Sequence, residues 1–82
     1  MDKLKVGDKV LVNNDAFDEQ IERMEDSTKV YEVSETKDVT SVGTTGQWVR
    51  VKGGIALIDN MTGEKRFAVD WIDKGWCKKV SD

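Results

Sequence analysis

Histidine is missing from these 82 residues, and cysteine occurs once, at Cys77. Those two gaps exclude an internal disulfide, a zinc site of Cys and His ligands, Cys–His nucleophilic pairs and histidine acid–base catalysis. Proline is absent too, and no stretch has the composition of a linker. No apolar run approaches the roughly 18 residues that a bilayer-spanning helix needs. The charged opening Met1-Asp2-Lys3-Leu4-Lys5 leads into no signal-peptide core. The expectation is a cytoplasmic protein without a membrane partner. Positive charge is also scarce: 13 Lys and Arg against 16 Asp and Glu leave a net charge of −3. That balance argues against general nucleic-acid binding, whose usual footprint is a basic patch. A carboxylate hydrolase or a magnesium site is signalled by no spacing, so neither catalysis nor a cofactor is expected.

What is present suits a compact chain. Apolar residues make up 38% and charged residues 35%, a balance that fits a folded domain better than a disordered one. Three tryptophans give a small core large apolar units. With no repeat and no composition break, residues 1–82 read as one domain, a monomer or at most a weak homodimer.

Hydrophobic periodicity then divides the chain. Leu4, Val6, Val10 and Val12 share one parity, giving a first strand with a bend at Gly7-Asp8. After Asn13-Asn14 the period changes. Phe17, Ile21 and Met24 fall at i, i+4 and i+7, which predicts an amphipathic helix of about three turns, capped by Asn14 or Asp15. A helix that short leans on tertiary packing. Further strands are expected at 29–34, 47–52, 55–58 and 66–71, with a short closing piece at 77–80. On the strand at 66–71, Phe67, Val69 and Trp71 share the face expected to point inward. Gly43-Thr44-Thr45-Gly46 lacks the Lys-Ser/Thr ending of a phosphate loop and reads as a hairpin turn. The fold class is therefore mainly β, with five to six short antiparallel strands and one helix between the first and second.

The opening Leu4-Lys5-Val6-Gly7-Asp8-Lys9-Val10-Leu11-Val12 resembles the first strand of small SH3-like barrels with a KOW-like first strand. In those folds a strand of this pattern is followed by a long first loop and a meander of strands. The resemblance implies an SH3-like barrel. It also points to the small binding proteins of this kind found among phage and mobile-element accessory genes of Gram-positive bacteria. The Gly-rich second half of a KOW motif is missing, because the helix-like segment occupies its place.

Two surfaces are candidates for partner contacts. The first is the acidic segment at 15–26, where Asp15, Asp18, Glu19, Glu22, Glu25 and Asp26 stand against Arg23, a local charge of −5. On a helix, Asp18, Glu19, Glu22 and Glu25 would form either a docking face for a basic partner or simply the solvated side. The second is the strand row Trp48, Arg50 and Lys52, outward-facing if Val49 and Val51 point in. It suits a protein-binding anchor or, with Lys78 and Lys79, stacking on bases and neutralising phosphates. Its bland alternative is a ring lying over a barrel end. Trp71 reads as core and Trp76 as a lid on it. Cys77 beside Lys78 and Lys79 is either a thiol of lowered pKa or an ordinary, partly buried cysteine. The expected function is non-catalytic protein binding by a small accessory or regulatory module. Nucleic-acid binding through Trp48, Arg50, Lys52, Lys78 and Lys79 is the alternative.

Overall fold

The computed structural model describes residues 3–80. Among these residues eight strands carry the fold: β1 (Lys9–Val12), β2 (Glu22–Met24), β3 (Tyr31–Asp38), β4 (Gln47–Val51), β5 (Ile55–Asp59), β6 (Lys65–Ala68), β7 (Ile72–Asp73) and β8 (Cys77–Lys79). All pairings are antiparallel. A five-stranded sheet runs β7-β4-β3-β1-β8, and a three-stranded sheet runs β2-β5-β6. The mainly β class expected from the alternation holds, with more and shorter strands than the five or six anticipated.

One connection sets the shape of the larger sheet. β7 and β8 lie at its opposite edges, yet only the 3-10 turn Lys74–Trp76 separates them. From Asp73 to Cys77 the chain reaches at most about 14 Å, whereas five flat strands would hold their edges about 19 Å apart. The sheet must therefore curl until its edge strands approach each other. No pairing joins β7 to β8 among the described residues, so the curl is left open.

A single apolar cluster fills the concavity and spans both sheets: Val10, Val12, Val33, Val49 and Val51 from the larger, Met24, Ile55, Leu57 and Ala68 from the smaller. Leu57, Val10, Val33 and Val49 are wholly inaccessible. Leu4 joins them through an unusual tie. The buried Gln47 side chain accepts from the Leu4 N–H (2.9 Å) and donates to the Leu4 carbonyl (2.8 Å), pairing with it as a strand would. Val6, expected on the same inward face, is instead 65% exposed, because regular β1 pairing starts only at Lys9, after the Gly7 turn.

Residues 15–26 form no helix. A 3-10 turn, Asn14–Ala16, is followed by a turn at Asp18 and then by β2. The helical spacing was outweighed by backbone satisfaction. β5 carries hydrogen-bonding groups on both sides, and β2 covers one of them, with Glu25 donating to Ala56 and Asn60 donating to Ile21 at 2.9 Å each. The turn then protects the other edge of β2. Glu22 N–H donates to the Asp18 carbonyl and Met24 N–H to Asn14 Oδ1, both at 2.9 Å. Met24 is buried and Phe17 packs beside the core, as the apolar stripe required, but Ile21 is 57% exposed.

The inward face of β6 also differs from expectation. Ala68 faces the core, while Phe67 and Val69 are 58% and 64% exposed. The cause is the register: Ala68 pairs with the inward Ile55, and Phe67 pairs with Ala56 on the opposite face. At Gly54, with φ +75°, a Cβ atom would lie 2.9 Å from the Ala68 carbonyl, so glycine is needed where the chain enters β5. The chain leaves β6 after Ala68, and the parity of Phe67 does not carry on to Trp71, which is half-buried rather than part of the core.

Candidate functional site

The outer face of β3, β4 and β7 gathers aromatic and cationic side chains, and a bulge makes it possible. Val33 pairs with Val51, and the next partner pair is Glu35 with Arg50. Ser34 is the extra residue. It switches the parity of β3, so that Glu35 and Lys37 turn outward beside Arg50 and Trp48 instead of following Val33 inward. Without that switch two charged side chains would point into the core.

The resulting cluster is tightly interleaved. Lys37 Nζ lies 6.0 Å from the Trp48 ring centre and 5.9 Å from that of Trp71, so one ammonium serves two indoles. The Arg50 guanidinium stands 4.4 Å from the Trp71 ring centre, and its Nη1 donates to Glu35 Oε2 at 3.1 Å. Arg50 Nε is shielded from water and has no hydrogen-bond acceptor, consistent with a guanidinium held against a ring. Trp48, Arg50 and Trp71 are half-buried, while Lys37 and Lys52 are exposed.

One border of the cluster is clasped by Asp73, which sits opposite Trp48 in the β4–β7 register. Its carboxylate accepts from Thr45 N–H (Oδ2, 3.1 Å) and Gly75 N–H (Oδ1, 2.9 Å), and the Thr45 hydroxyl donates to Oδ1. Burial works to raise the Asp73 pKa, but these donors outweigh it and hold the carboxyl below its ordinary value. A Cβ at Gly75 would meet the Thr45 methyl at 2.9 Å, so a larger residue there would require Thr45 to shift. The turn at 43–46 is thereby fixed as the hairpin connection expected of it. Trp76, expected as a lid, is 40% exposed and stands between two shallow clefts of about 270 and 220 Å³.

The other candidate residues are dispersed. Lys78 and Lys79 lie on β8, separated from β4 by β3 and β1, and Lys79 leans toward Asp8 at 3.8 Å. Lys52 follows β4, where its N–H donates to the Glu32 carbonyl. The acidic set divides. Glu22 makes a two-pronged bond with Arg66 (3.0 and 2.8 Å), and Glu25 pairs with Lys65 at 3.0 Å. The Arg66 hydrogen bond is the main reason the Glu22 carboxyl sits below its usual range. Asp18 and Glu19 remain exposed without an ion pair among the described residues. The expected four-acid helical face does not exist, because the segment forms no α-helix, and β6 neutralises two of the four acids.

Reading the sequence alone missed Lys37, Glu35 and Trp71 as members of the outward cluster. Nothing in the residue types marks Ser34 as a bulge, so strict alternation sends Lys37 to the wrong face. Among the described residues no group of three side chains is placed to hold a metal ion, and no helix is long and apolar enough to cross a membrane. Comparisons of the chain with protein-family models, curated proteins and solved structures return no match.

Proposed function

We propose that this is a non-catalytic binding module whose contact face is the Lys37–Trp48–Arg50–Trp71 cluster, and that its partner is a protein. The observation that carries the reading is the meeting of two half-buried indoles and one guanidinium on one sheet face. Trp and Arg anchors of this kind supply most of the energy at protein interfaces. Charge supports a protein partner over nucleic acid. Arg50 is paired with Glu35, Asp73 flanks the cluster, and Lys78 and Lys79 are two strands away. The face is mixed in sign, whereas a nucleic-acid surface needs cations in excess.

The proposal includes the fold type: a small SH3-like barrel, supported by the Leu4–Val12 pattern, the curl of the larger sheet and its short closing strand. Nuclear Overhauser contacts between the Ile72 and Cys77 side chains are expected across the seam, and their absence would remove the barrel from the proposal.

The binding test is affinity capture from a bacterial lysate on wild type, Trp48→Ala, Arg50→Ala and a Glu19→Lys control. Retention of one protein by wild type and the control, with loss on both cluster variants, is expected. Equal retention on all four would sink the reading. Quenching of tryptophan fluorescence by a single-stranded oligonucleotide at low salt, abolished by Arg50→Ala, would transfer the face to nucleic acid.

A further inference from the structure

The chain protects its sheet edges unevenly. The N–H groups that β2 turns outward, those of Glu22 and Met24, are taken by Asp18 and Asn14. β7 and β8 curl toward each other. β6 is different: it ends the smaller sheet, and among the described residues no strand pairs with its outer side. The hydrogen-bond phase shows which groups it exposes. Asp59 N–H donates to Glu64 across the β5–β6 pair (2.8 Å), while Ala56 and Asn60 bond to the β2 side. Alternation then directs Arg66 and Ala68 toward β5, and the main-chain groups of Lys65 and Phe67 toward the open edge.

The residues along this edge match themselves. In Arg66-Phe67-Ala68-Val69-Asp70 read antiparallel about Ala68, Arg66 meets Asp70, Phe67 meets Val69 and Ala68 meets itself. We propose that the protein self-associates here, with residues 66–70, the end of β6 and the two residues that follow it, pairing antiparallel to the same segment of a second copy about a two-fold axis, β6 lengthening by two residues on association. An isologous contact requires just this self-complementarity. Phe67 and Val69, more than half exposed in the single chain, would cover one another on one face. Opposite charges would meet at both ends. Arg66 is able to do so while keeping Glu22, because that bond uses Nε and Nη2 and leaves Nη1 over. Asp70 is exposed and makes no salt bridge among the described residues, although its charge already acts on Arg66 of its own chain. An interface of one short strand per copy is small, so association on the order of 100 μM is expected.

Sedimentation equilibrium from micromolar to millimolar protein tests this. Wild type should rise from the monomer mass toward twice that value. Phe67→Pro deletes an outward N–H that the β5 ladder does not use, and Asp70→Arg sets like charges against each other at both ends. Each should weaken association at least tenfold, with the far-ultraviolet spectrum unchanged. Should the proline variant fail to fold, Asp70→Arg decides alone, since it removes no bond within the chain. Wild type that stays monomeric to millimolar concentration overturns the proposal, as does a dimer that Asp70→Arg leaves intact. Trp48→Ala, on a different face, should leave the dimer unchanged.

Discussion

Cys77 is governed by its immediate surroundings rather than by its neighbours in sequence. Lys78 and Lys79 suggested a depressed thiol pKa, yet both are exposed while Cys77 is buried, opposite Val12 in the β1–β8 register. Burial, with a smaller push from Asp73, raises the thiol to about 11. The lowered pKa is thereby overturned, and the ordinary buried cysteine is what the structure contains. A raised folded-state value has a definite sign. The unfolded thiol ionises near pH 8.5, so between there and about 11 the unfolded state holds fewer protons and stability falls as pH rises. Stability from this group is complete below that window. Denaturant midpoints measured from pH 8 to 10 should therefore decline more steeply in wild type than in Cys77→Ala. Iodoacetamide at pH 8 should label folded Cys77 at least tenfold slower than the denatured chain. Labelling at the denatured rate would show that the thiol is not buried.

At the scale of elements, the segment 14–26 works as an edge guard. The turn at Asn14–Ala16 and the Asp18 carbonyl occupy the donors that β2 presents outward, and two of the acids lock β2 to β6 across β5. This separates two substitutions that look alike in sequence. Glu19→Lys changes an exposed residue without an ion pair and should alter stability by less than about 0.5 kcal/mol. Glu22→Lys removes the two-pronged bond and sets an ammonium beside Arg66. A loss of about 1 kcal/mol is expected there, most of it screened away by molar salt. Urea titrations at low and high salt measure both, and equal costs would mean that the Glu22–Arg66 bond is not formed in solution. Alternation located most strands correctly, because one buried face enforces period two at Val10 and Val12 or at Val49 and Val51. It failed where a local pattern competed with a distant need. Phe17, Ile21 and Met24 have helical spacing, but the requirement was a partner for β5, 33 residues beyond Met24 in the Met24–Leu57 pair. The candidate site was half legible for the same reason. Trp48 and Arg50 could be assigned outward from their own strand, whereas Lys37 and Trp71 depend on a bulge and a strand end that leave no mark on composition.

For the whole molecule the decisive fact is that two sheets share one core. The tryptophans stand on or beside the larger sheet, at 48, 71 and 76, and the smaller sheet has none. If the sheets were separable, tryptophan fluorescence would follow the larger alone. The core argues otherwise. Leu57 and Ile55 of β5 sit in the same cluster as Val33 and Val49, and neither sheet has a second apolar layer of its own to bury. Stripping β2-β5-β6 from the larger sheet would expose the wholly buried Val10, Val33 and Val49 together, at about 1.5 kcal/mol or more each. For so small a chain that sum rivals the entire stability. Unfolding should therefore be all-or-none: urea curves from tryptophan fluorescence and from far-ultraviolet circular dichroism should have the same midpoint and slope. Leu57→Ala, which lies far from every indole in the sheet order, should shift both curves together by about 3 kcal/mol. A fluorescence transition that resists Leu57→Ala while the dichroism moves would show that the larger sheet stands alone, and that the cluster of Lys37, Trp48, Arg50 and Trp71 does not depend on the shared core.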